Sequence, residues 1–157
     1  SGHVHQPGPA ISISDGGECT VKMYMKTVQI QYSIAASAPA ESQVPGTFVD
    51  LASGTSQGQL QVPVNQEWTI IDVYNRGSSD VGVDAVATFT KNAVSNVLTT
   101  DPVSSLNISN PSRPTYPPIS MPPGTILTSK ITTLAANGTA AVVDNLFIKI
   151  KIIDYTQ

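Results

Sequence analysis

EWTIIDVYNRGSSDVGVDAVATFTKN, residues 67–92, is the stretch on which the reading of the fold turns. Trp68, Ile70, Ile71, Val73 and Tyr74 form a dense run of β-branched and aromatic residues, the types that fill a pleated, half-buried strand. The polar tract Asn75 to Asp80 follows, and Gly77 within it can take the positive φ of a tight turn. From Val81 to Phe89 the apolar Val81, Val83, Ala85, Ala87 and Phe89 then alternate with Gly82, Asp84, Val86 and Thr88. A period of two gathers one set on a single face of a strand. The pattern predicts a β-hairpin, with Trp68, Ile70, Val83 and Phe89 in the core and Trp68 sealing one end of it.

On either side of this stretch the sequence keeps to strands. In 21–34, Tyr24, Val28, Ile30, Tyr32 and Ile34 share one parity while Thr27, Gln29, Gln31 and Ser33 share the other. Residues 35–46, with Pro39 and Pro45, read as a loop, 47–51 as a short strand and 53–58 as a turn tract. In 59–64 the alternation points Leu60, Val62 and Val64 inward, and Pro63 pushes the segment toward a sheet edge. Residues 92–100 form a weaker strand and 125–134 a further one, and Asn137-Gly138 is a hairpin signal. The terminal run 146–155 directs Leu146, Ile148, Ile150 and Ile152 inward, with Ile148 and Ile150 as core residues, and Phe147, Lys149, Lys151 and Ile153 outward.

Two segments lack core content. Residues 1–20 hold two prolines, four glycines and only Val4, Ala10, Ile11 and Ile13 to bury, so they are expected as an extended arm ahead of one domain over 21–157. Ordering twenty backbones costs about 1–2 kcal/mol each, and so few apolar side chains do not offset it unless a neighbouring copy supplies contacts. Residues 101–124 form a long, proline-rich stretch; loops of that length are functional or contact a partner, and the alternative is a loop packed on its own sheet. Val4, Ile11 and Ile13 in the arm, with Tyr116 and Met121 in the loop, are the expected assembly contacts.

Composition excludes several classes of function. Charged residues are 12% of the chain, about half the usual share, so the surface is built from Ser, Thr, Asn and Gln. That suits a protein covered by neighbours or lying outside a cell. A net charge of −3 with no basic cluster argues against direct nucleic-acid binding; Lys149 and Lys151 read as a solvated edge. No apolar run approaches eighteen residues, so no membrane span is expected. Cys19 is the single cysteine and reads as a buried thiol. The chain opens on Ser1 without a charged and then apolar leader, which leaves a removed leader, a removed Met or a tag remnant as readings.

Catalytic chemistry finds little footing. The two histidines, His3 and His5, both lie in the arm, so a Ser or Cys nucleophile has no base beside it. They make an incomplete metal set, and no metal or other cofactor is expected. Asp72 and Asp84 could face each other across the hairpin as a carboxylate pair, without an aromatic-lined cleft to go with them. Two further motifs, Asn107-Ile-Ser and Asn137-Gly-Thr, match the glycosylation pattern in a chain rich in those residues. No enzymatic activity is expected.

Eight or nine short strands fit an all-β, two-sheet antiparallel sandwich, a jelly roll first and an immunoglobulin-like Greek key second. The hairpin WTIIDVYNRGSSDVGVDAVATFTKN, the PPGTIL that leads into a later strand, and the terminal IKIKI resemble single jelly-roll capsid proteins of icosahedral viruses, including those of thermophilic hosts. The resemblance spans 67–155 and rests on pattern. It implies a structural subunit of a virion, joined to copies of itself and to other capsid subunits through arm and loop. The missing basic arm departs from many such proteins and implies a minor, penton-type or decoration role, or a shell over a membrane. A secreted filament subunit joined by strand addition through Ile11-Ser12-Ile13, and a carbohydrate-binding module, are the rival extracellular readings.

Overall fold

The computed structural model describes residues 2–5, 11–15 and 19–156, with side chains from Thr20 onward. Its strands are β1 (Gly2–His5), β2 (Ile11–Asp15), β3 (Cys19–Ile34), β4 (Gln43–Asp50), β5 (Ser56–Gln57) and β6 (Leu60–Gln61). They continue with β7 (Gln66–Tyr74), β8 (Ala85–Lys91), β9 (Ser95–Thr99), β10 (Ile119–Met121), β11 (Ile126–Thr133) and β12 (Val142–Asp154). Two 3-10 turns, Ser78–Asp80 and Val103–Ser105, complete the elements. The protein is all-β, and its ladder runs β10-β7-β12-β3-β4-β11-β8-β9 as a nearly closed antiparallel sheet.

The cleanest alternations in the sequence become its longest strands. β3 and β12 pair along thirteen positions from Lys22–Asp154 to Ile34–Val142. Their even-numbered residues Val28, Ile30, Tyr32, Ile34, Leu146, Ile148, Ile150 and Ile152 are all buried. Phe48, Trp68, Ile70, Val73, Ala85, Ala87, Phe89, Leu127 and Ile131 join them in one cluster fed by both halves of the ladder. At about 1.5–3 kcal/mol for each large side chain buried, this cluster outweighs any surface pair in the molecule.

The two halves meet in β4. Residues 43–45 pair with β11, and residues 46–50 pair with β3. Pro45 has no N–H to donate, and it stands where the partner changes. At Gly46 a Cβ would lie 2.6 Å from Ile30 Cγ2 and 2.7 Å from Tyr32 Cε2, so only glycine lets the strand cross over those side chains.

The expected hairpin over 67–92 does not form. β7 pairs with β12 and β10, and β8 with β11 and β9. Residues 75–84 therefore cross from one half of the ladder to the other. A ten-residue connection does not fix a register as a two-residue turn does, and the long β12 offers β7 a better-matched partner. Gly77 does take a positive φ, 148°, with ψ −173°, a region open to glycine. β8 begins at Ala85, which leaves Val83 half-buried in the crossover against the core.

The same correction applies at Asn137-Gly138, because β11 and β12 also lie in different halves. Gly138 has no positive φ. Asn137 is buried instead, donating to the carbonyls of Ala35 and Ala140 and accepting from Thr139, so it pins the crossover. Val64, expected inward, is 89% exposed just past Pro63, after β6 has ended. Lys149 and Lys151 stand on the outer face of a central strand and not at an edge.

A β-bulge explains the dense run in β7. Lys149 pairs with Asp72 and Ile150 with Ile70, so Ile71 is the extra residue. The inward parity switches there, from Trp68 and Ile70 to Val73.

Candidate functional site

The two regions singled out for assembly are the N-terminal segment and the 101–124 stretch. In the first, β1 pairs with β2, and β2 with residues 19–23 of β3. β1 and β2 thus extend the sheet from the start of β3, so strand partners expected from a neighbouring copy are found within the chain. Val4, Ile11 and Ile13 lie on these strands, and their side chains, like those of His3, His5 and Cys19, fall outside the described residues.

The 101–124 stretch packs on its own domain. Val103 and Leu106 enter the core, and so does Met121, which is 1% exposed on β10 opposite Trp68. Met121 is thus a core residue and not a surface anchor, because β10 turns it inward as the last strand of its half. Tyr116 is half-buried. Its hydroxyl donates to Asp101 Oδ2 at 2.7 Å and accepts the Asp101 N–H at 2.8 Å, which clasps the two ends of the loop. Burial pushes its phenol up to about 12.

Polar side chains fasten the rest. Arg113 makes a two-pronged pair with Asp72, Nη1 to Oδ1 at 2.9 Å and Nη2 to Oδ2 at 3.0 Å, and this bond raises the guanidinium further. Asp84 accepts from Ser104 N–H at 3.0 Å and Ser104 Oγ at 2.7 Å. Asn75, 1% exposed, donates through Nδ2 to the carbonyl of Val103, and its backbone bridges to Leu106 and Ile108. Asn75, Gly77, Ser78, Val81, Ser104 and Asn107 line a recess of about 290 Å³ where this loop meets the 75–84 crossover.

The hairpin across which Asp72 and Asp84 could have faced each other as a carboxylate pair does not form. Asp72 stands on β7 and Asp84 ahead of β8, each engaged by its own loop partner. Among the described residues no group of three or more His, Cys, Asp or Glu side chains gathers to hold a metal.

Of the expected core residues, Trp68, Ile70, Phe89, Ile148 and Ile150 are buried. Trp68 keeps its indole N–H satisfied by Gln66 Oε1 at 2.8 Å, and Lys26 Nζ lies 5.9 Å from its ring. Phe147, on the outward parity, is nonetheless fully buried. Tyr74 stacks on it at 5.7 Å, and the Arg76 guanidinium sits 3.9 Å from its ring centre.

Sequence reasoning missed Asp144. It falls on the inward parity of β12, in the series 144, 146, 148, 150, 152, and it is 1% exposed. A carboxylate on an otherwise apolar face was the available signal.

No protein-family model matches the chain, and no curated protein sequence matches it. No helix among the described residues is long and apolar enough to cross a membrane.

Proposed function

We propose that the chain is a structural subunit of a virus particle, a minor, penton-type or decoration capsid protein built as a single jelly roll. The strand order carries this reading. The succession β10-β7-β12-β3 followed by β4-β11-β8-β9, with the chain crossing between halves after β4, β7, β9, β10 and β11, supports the interleaving expected of a jelly roll, an architecture that serves in viral capsids. Low charge and a surface of Ser, Thr, Asn and Gln agree with a protein covered by neighbours. The subunit joins copies of itself and other capsid proteins, makes no direct contact with nucleic acid, and works in the virion or outside the cell. It does so without enzymatic activity, in keeping with the loop partners that engage Asp72 and Asp84.

Jelly rolls also serve in lectins, and fold alone does not fix function. A carbohydrate-binding module has less support, since Trp68 is in the core and Tyr155 is the one aromatic among the exposed large apolar side chains of the described residues. The filament reading draws on β2, which is added to the side of β3 away from β12. Electron microscopy of the purified protein and of its native source tests the choice. Closed shells support the capsid reading, fibres replace it with the filament, and a protein that stays monomeric under all conditions overturns both.

A further inference from the structure

Asp144 is the one described residue with a buried side-chain oxygen that has no hydrogen-bond partner. Its Oδ1 accepts the backbone N–H groups of Gly82 at 2.7 Å and Val83 at 3.0 Å, while Oδ2 has nothing. The contact is close by design of the sequence, because a Cβ at Gly82 would lie 2.7 Å from Val142. One carboxyl thus ties the crossover between β7 and β8 to the start of β12.

Its surroundings do not favour an anion. Tyr32 stands opposite it on β3, with its hydroxyl engaged by Ser129 at 2.7 Å. From the crossover come Asp84, whose negative charge opposes ionisation of Asp144, and Asp80 in the adjoining turn, which accepts the Arg76 N–H. The Arg76 guanidinium lies over Phe147 on the outer face. No ion pair reaches Asp144 among the described residues. An ionised carboxylate there is stripped of water, half-satisfied and beside a like charge.

We propose that Asp144 is a proton-operated latch: protonated, it holds the 81–84 crossover against β12, and its ionisation as pH rises loosens that crossover. Burial, ahead of every other cause, raises its carboxyl above the ordinary value, against the pull of the two N–H donors. The sign follows by linkage. A group whose folded value is raised gives stability that is fully present below its unfolded value and lost as pH rises through the folded one. Asp50 and Asp154 act the other way. Lys26 and Thr156 hold them low, and their contributions are lost on acidification. The latch therefore shows only in comparison with a variant that lacks it. It is independent of whether copies close into a shell or a fibre.

The test follows the Asp144 carboxyl carbon by NMR in the wild-type protein, with thermal melts of wild type and Asp144→Asn from pH 4 to 8. The expected midpoint lies above the ordinary ~4. Wild type should lose melting temperature relative to Asp144→Asn as pH rises, and exchange protection of the Gly82 and Val83 amides, corrected for intrinsic rate, should fall by about tenfold per unit that the carboxyl is raised. A midpoint at or below ~4 overturns the proposal. So do melting curves that stay parallel across the range, or protection that does not fall. If Asp144→Asn does not fold, the titration and exchange measurements on wild type decide alone.

Discussion

Gly46 is the position where a single methyl group should do the most damage for its size. Ile30 and Tyr32, which that methyl would strike, are both fully buried and have no room to withdraw. Gly46→Ala should cost about 1–3 kcal/mol in chemical denaturation, the usual range for overpacking. Gly58→Ala, where an added Cβ meets nothing within 4 Å, should sit close to wild type. Equal stability for the two variants would mean that β4 has slack at its crossing. Trp68→Ala tests the opposite fault, a hole. It removes the largest side chain of the core and strands the Gln66 acceptor, so a loss of about 3–5 kcal/mol is expected. An unchanged melting temperature would remove Trp68 from the core.

At the scale of elements, the loop over 101–118 makes a sharper case than any strand. Its prolines reduce what the free chain gains in entropy on release, and four side-chain fastenings hold it, of which Arg113 with Asp72 is the strongest in geometry. Both partners keep some exposure, so Arg113→Ala is expected to cost only about 1–3 kcal/mol. Limited proteolysis should then cut between residues 108 and 118 before the core melts; resistance equal to wild type would shift the fastening to Tyr116 and Asn75. The strands themselves were largely legible. Period-two alternation in β3, β11 and β12 survives because each has one wet and one dry face. What the sequence concealed was partnership. The apolar run of β7 and the alternation before Phe89 look like two arms of one hairpin, yet nothing local in Asn75 to Asp84 says that the chain is crossing between halves. The bulge at Ile71 hides the inward parity of β7, and Met121 reads as a loop anchor because three residues between prolines barely register as a strand.

For the molecule as a whole, the N-terminal segment offers the assembly reading its most direct test: β2 pairs with residues 19–23 of β3, and β1 with β2. Deleting residues 1–16 should leave the melting curve of the monomer unchanged while abolishing shells or fibres, followed by light scattering and microscopy. Normal assembly of the truncated protein would move the copy-to-copy contacts to other surfaces. One pairing has a further bearing, on the order in which the protein comes into being. Lys22 finds its partner in Asp154, more than a hundred positions later. A ribosome adding about 5–20 residues per second needs roughly 7 to 26 seconds to bridge that interval, and until then the apolar face of β3 has no β12 to cover it. Each nascent subunit thus passes through a period of exposure, in which crowding by unfinished copies favours aggregation.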